Sequence, residues 1–138
     1  MRILVAVFAL LISLASCHSG ANSSQKAAEN SVVQFRTAFE SEQYHNMYTE
    51  ADEGLHQLTG EPDFVAYMQA VHRRLGRFQR SRLAKYQVGW FAGQGTRVNL
   101  VYDSTFANGG GIEEFVWHIR DGRALLFGYR VRSKDVVK

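Results

Sequence analysis

The chain has 138 residues, 16 Lys and Arg against 13 Asp and Glu, one cysteine and one proline. A lone cysteine excludes an intramolecular disulfide framework, and a formal charge of +3 leaves the chain only slightly basic. Behind its first 25 residues the chain still offers about 110 residues, enough for one domain that buries roughly two thirds of its unfolded surface without metal or cross-links.

The first element is a targeting segment. Met1-Arg2 gives a short positive end, Ile3 to Ile12 is unbroken apolar sequence, and Ser13-Leu14-Ala15-Ser16-Cys17 follows with small residues. The run is shorter than the roughly 20 residues a spanning helix needs, and no second run of that length follows. Leu14-Ala15-Ser16-Cys17 resembles the lipobox of bacterial lipoproteins. That resemblance implies removal of residues 1–16, lipid on Cys17 and tethering to a membrane. The alternative is an ordinary secretory signal that leaves Cys17 a free thiol. His18 stands where lipoproteins kept at the inner membrane typically carry Asp, so the resemblance points to the periplasmic face of the outer membrane.

Residues 17–25 read as a lipidated flexible tether, and residues 26–138 as the folded domain. Ser23 or Ser24 can cap a helix whose apolar positions Ala28, Val32, Phe35 and Phe39 recur at helical spacing. A second helix carries Tyr44, Met47 or Tyr48, Ala51, Leu55 and Leu58, ending near Gly60. A third starts at Pro62, runs through Phe64, Met68, Val71 and Leu75, and stops at Gly76. The cluster Arg73, Arg74, Arg77, Arg80, Arg82 and Lys85 would suit anionic lipid headgroups or envelope polymers. A plainer reading has it complement a helix end and line an exposed strand. The envelope address argues against nucleic acid.

From residue 81 the period changes, and turn residues mark four strands at 81–92, 96–107, 112–120 and 123–133. A two-residue turn at Asp121-Gly122 pairs Ile119 with Ala124, Trp117 with Leu126, Phe115 with Gly128 and Glu113 with Arg130. A two-residue turn at Gly109-Gly110 sets Leu100, Tyr102 and Ser104 opposite Ile119, Trp117 and Phe115. A three-residue loop ending in Gly95 sets Trp90, Val88 and Tyr86 opposite Val98, Leu100 and Tyr102. One face then collects most of the apolar side chains, and the helices should pack there. The other face carries Val116, His118, Leu125, Phe127 and Tyr129 on its last two strands, which reads as an interface for a second copy or an envelope protein. A terminal segment folded back would also cover it. The fold class expected is α+β, two or three N-terminal helices on a curved four-stranded antiparallel meander.

Helices followed by such a meander, closing with Glu113-Glu114-Phe115, Asp121-Gly122 and Gly128-Tyr129, resemble the nuclear-transport-factor-like, cystatin-like cone domains. The resemblance covers residues 26–133. It implies a pocket between helices and sheet and a tendency to pair through the sheet's outer face, but no reaction, because that fold hosts isomerases, dehydratases and binding domains alike.

Enzymes of that fold place an acid or base beside a tyrosine in the cavity. The pocket candidates here are Tyr48, Tyr86, Tyr102, Ser104, Glu113, Trp117 and Arg130. Glu113 and Arg130 read as a rim salt bridge, and Tyr102 and Trp117 as core. Glu114 and His118 share a strand face but lie about 13 Å apart, too far for a catalytic hydrogen bond. Glu53-Gly54-Leu55-His56 has the spacing of a di-iron ligand pair, but the chain has no second such motif. His45, His56 and His72 lack zinc-type spacing, and Gly93-Gln94-Gly95 lies between strands. The expectation is therefore a domain without metal or cofactor. It would bind a small apolar ligand or a protein, the protein being a second copy in a homodimer or an envelope partner; a small cavity-based isomerase or hydrolase is the alternative.

Overall fold

The computed structural model describes residues 18–134; the expected signal segment, Cys17 and the last four residues lie outside it. Four helices precede four strands: α1 His18–Glu40, α2 Tyr44–Thr49, α3 Glu53–Leu58, α4 Glu61–Leu75, β1 Phe78–Phe91, β2 Gly95–Phe106, β3 Gly109–Arg120 and β4 Arg123–Ser133. The strands form one open antiparallel sheet in chain order, and the fold is α+β. Ala28, Val32, Phe35 and Phe39 of α1 are buried with Val98, Leu100, Phe115, Trp117 and Leu126 of the sheet. The apolar stripe at steps of four and three therefore joins helix to sheet.

The helices differ from the sequence reading in two places. Residues 18–25, expected as a tether, form the first turns of α1, and Ser23 Oγ donates to the Gly20 carbonyl (2.9 Å) rather than capping a helix start. The expected second helix is broken into α2 and α3 at Asp52. The backbone N–H of Asp52 leaves the helix to bond the Leu126 carbonyl of β4 (2.9 Å), and its side chain caps α3 through Gly54 N–H (2.8 Å). Helix α4 starts with Glu61-Pro62-Asp63 and ends in His72, Arg73 and Arg74, so charge complements its dipole at both ends.

The sheet corrects the expected register, each time for a visible reason. The β2–β3 turn falls at Ala107-Asn108, so Val98 faces Trp117, Leu100 faces Phe115 and Tyr102 faces Glu113. Ala107 N–H and Asn108 N–H donate to the Arg77 and Leu75 carbonyls (2.8 and 2.9 Å), so this turn caps the exit of α4. The glycines expected in the turn enter β3 instead. A Cβ on Gly111 would stand 2.9 Å from Val131 Cγ2, a fit that only glycine allows. The β1–β2 loop occupies residues 92–94, and Trp90, Val88 and Tyr86 pair with Thr96, Val98 and Leu100. Both shifts are by an even number of residues, so the side chains of β2, β3 and the stretch of β1 from Lys85 to Phe91 keep their expected faces.

The β3–β4 turn is as expected. Asp121 and Gly122 both have positive φ (50° and 75°), and Ile119 meets Ala124 while Trp117 meets Leu126. Beyond it the chain departs, because Phe127 is an extra residue, a bulge between the Trp117–Leu126 and Val116–Gly128 pairs. Phe115 therefore meets Tyr129 rather than Gly128, and Arg130 meets Glu114 rather than Glu113. On β1, Tyr86 (53 % exposed) and Trp90 (72 % exposed) were expected under the helices. Of the helices, α1 packs most closely on β1, while α2 and α4 pack together and α3 lies against β4, so the far end of the edge strand stays uncovered.

Candidate functional site

Two buried carboxylates organise the polar interior. Glu113 on β3 is 1 % exposed and points to the helix side of the sheet. Arg36 Nη1 donates to its Oε2 (2.8 Å), Ser104 Oγ donates to the same oxygen, and Tyr129 OH donates to Oε1 (2.9 Å). The Arg36 guanidinium lies 3.9 Å from the centre of the Phe78 ring, with Tyr102 and Phe115 at 5.4 and 5.7 Å, so cation–π contacts replace part of its hydration. Burial, then the nearby Glu113 charge, raises the Tyr129 phenol well above its ordinary pKa; Tyr102 is pushed up to about 12, chiefly by burial. Both phenols stay protonated donors at neutral pH. A carboxylate that accepts three hydrogen bonds has little capacity left to move a proton.

Asp52, also 1 % exposed, is the second. Oδ1 accepts from Gly54 N–H, and Oδ2 accepts from Arg120 Nε (3.0 Å). His118 Nδ1 lies 3.1 Å from Oδ2 without hydrogen-bond alignment, while its Nε2 meets the Gln94 carbonyl. Burial alone pushes the Asp52 carboxyl up, but Gly54, Arg120 and His118 together outweigh it and hold its pKa below the usual carboxylate value. The cluster clamps the α2–α3 corner to the sheet and the β1–β2 loop to the sheet's outer face.

The concave feature best placed for a ligand lies between α1, α2 and the β3–β4 hairpin. It is a hollow of about 440 Å³, with Asn30, Gln34 and Asn46 among its polar lining and Phe35, Met47 and Trp117 among its apolar lining. That volume falls in the range of small-molecule sites, as does the mixture of an apolar floor with a few amides. Trp117 is buried and stacks on Phe115 (centroids 6.0 Å, planes 6° apart), yet its indole N–H has no hydrogen-bond partner among the described residues. A buried donor left unmatched costs about 1–3 kcal/mol, and because this N–H is closed to solvent an acceptor in the hollow would reach it only once the wall opens.

The seven expected pocket residues therefore divide. Ser104 and Glu113 meet in the polar core, with Tyr102 packed beside them, and Trp117 lines the hollow. Tyr48 packs on His56 and Phe64 and donates to the Thr59 carbonyl (2.9 Å), closing the helix corner rather than facing a ligand. Tyr86 is exposed on the edge strand, and Arg130 pairs across the outer face with Glu114 (Nε–Oε2 2.6 Å). The expected outer-face interface loses two of its five members. The bulge turns Tyr129 inward onto Phe35 and Phe115, and His118 is covered by Asp52 and Gln94, leaving Val116, Leu125 and Phe127 half-buried.

Two central residues, Arg36 and Asp52, were not among the candidates. Arg36 sits next to Phe35 in the apolar stripe, and Asp52 precedes Glu53-Gly54 as a helix cap would, which are the signals each offered. Among the described residues no group of three His, Cys, Asp or Glu side chains could hold a metal ion, and no helix is long and apolar enough to cross a membrane. No protein-family profile matches the chain, and no curated protein matches its sequence.

Proposed function

We propose that this is a lipid-anchored envelope protein whose cone domain binds a small amphipathic molecule without transforming it. The molecule would enter the hollow between α1, α2 and the β3–β4 hairpin. The observation that carries the reading is the buried Trp117 N–H, a donor without a partner on a residue that lines a hollow of ligand size. Such a ligand would present a carbonyl, ether or carboxylate oxygen to the indole and an apolar body to Phe35 and Met47. Acid–base chemistry at Glu113 has less support, because Arg36, Ser104 and Tyr129 occupy its oxygens and it does not line this hollow. The anchor rests on Leu14-Ala15-Ser16-Cys17, with the outer membrane favoured by His18.

Native mass spectrometry of the protein extracted from its own envelope tests both halves. The expected result is a mature chain beginning at a lipid-modified Cys17 and carrying a non-covalent small molecule that Trp117→Phe loses. An unmodified Cys17 would remove the anchor, and a wild-type chain free of any bound mass would remove the ligand.

A further inference from the structure

Two hydrogen bonds fix which way α1 runs across the sheet. Ser31 Oγ meets the Ala124 carbonyl (3.4 Å), just past the β3–β4 turn, whereas Glu40 Oε1 accepts from Phe78 N–H (2.7 Å), where β1 begins. In a four-stranded meander the β1–β2 and β3–β4 turns share one end. The first residue of α1 and the 17 residues before it therefore join the domain at that end. Three large apolar side chains are exposed there: Leu58 (73 %) beside the β1–β2 loop, with Trp90 (72 %) and Phe91 (48 %) at the tip of β1.

We infer that this end of the domain rests on the lipid surface, with Trp90 and Phe91 inserted among the headgroups and Leu58 beside them. The inference rests on the reading of Cys17 as a lipid anchor. Cys17 directly precedes α1, so the helix from His18 to Ser31, about 20 Å long, is the spacer between the anchor and this end of the sheet. Indole rings favour the boundary between headgroups and acyl chains. Arg123 lies on the same end and can meet phosphates, but Arg120 is held by Asp52, and Glu53 and Asp121 add negative charge, so apolar insertion rather than charge supplies the contact. A second copy is a poorer occupant. Two aromatic side chains at about 150–250 Å² each and one leucine fall short of the ~800 Å² per partner that a stable interface buries.

The chain holds two tryptophans, and Trp117 is buried, so Trp90 can be read by fluorescence in the full-length protein. In phosphatidylethanolamine–phosphatidylglycerol vesicles containing brominated phospholipid, the wild type should lose several-fold more emission than Trp90→Phe. It should also resist quenching by aqueous iodide. Trp90 that stays open to iodide on protein that sediments with the vesicles would overturn the insertion and leave the anchor standing. Shielding from iodide without quenching by bromine, in a protein that sediments as a dimer, would give the surface to a second copy instead. Protein that fails to sediment with vesicles, with Cys17 unmodified by intact mass, would overturn both.

Discussion

Arg36 Nη1 stands 2.8 Å from Glu113 Oε2, so the first helix and the third strand share one buried ion pair beneath the Phe78, Tyr102 and Phe115 rings. Removing one partner strands the other charge. Arg36→Met should cost about 3–5 kcal/mol in urea denaturation, whereas Arg36→Met with Glu113→Leu should cost clearly less than the single change. A double variant as unstable as Arg36→Met alone would mean that the apolar replacements fail to pack, and that charge burial is not the main term.

The Asp52 cluster predicts a dependence on acid. Its pKa is lower in the folded chain than the ordinary value of 3.8, so the unfolded chain binds that proton more readily. The stabilisation is complete above about pH 4 and disappears as pH falls through the lowered folded value. Thermal melts by circular dichroism between pH 7 and pH 2 should show Asp52→Asn melting lower than wild type at pH 7. The two curves should converge at the acid end; a constant gap would refute the linkage.

Gly54 is held by space rather than by conformation. A Cβ there would overlap the Phe127 ring and come within 3.0 Å of Asp52 Oδ1. Gly54→Ala should destabilise the domain by about 1–3 kcal/mol, and Phe127→Ala in the same chain should recover part of the loss, since the ring is the obstacle. Additive losses in the two-residue cycle would contradict this.

Trp117→Phe keeps an aromatic ring against Phe115 while deleting the unmatched donor. Its cost in the ligand-free protein should stay under about 1 kcal/mol, in contrast to about 3–5 kcal/mol for Trp117→Ala. A large loss in Trp117→Phe, read by the urea midpoint, would show that the N–H has a partner after all and would weaken the ligand reading.

The sequence exposed the elements better than their joints. Helical spacing found α1 and α4, and alternation found the four strands with their two faces, because burial on one side imposes those periods directly. Turn glycines misplaced two hairpins by an even count, which no face pattern can detect. Gly109, Gly110 and Gly111 looked like a turn but lie in β3, where Gly111 gives room to Val131. The polar sites were less readable. Glu113 is on the expected face, yet its partners Arg36 and Tyr129 depend on a helix crossing and a bulge, and Asp52 meets His118 only through the tertiary fold. Local propensity carries no record of such distant contacts.

The extra residue at Phe127 acts on the sheet as a shifted base acts on a message. Before it, odd-numbered residues of β4 face outward; after it, Tyr129 and Val131 face the core. A single-residue insertion or deletion between Leu126 and Tyr129 would exchange the hydrophobic and polar halves of everything downstream. It would bring Arg130 towards the helices and strip Glu113 of its phenol. Changes of two residues would spare that alternation. The last strand should therefore vary in length, across any lineage that keeps this domain, only by even steps or by moving the bulge.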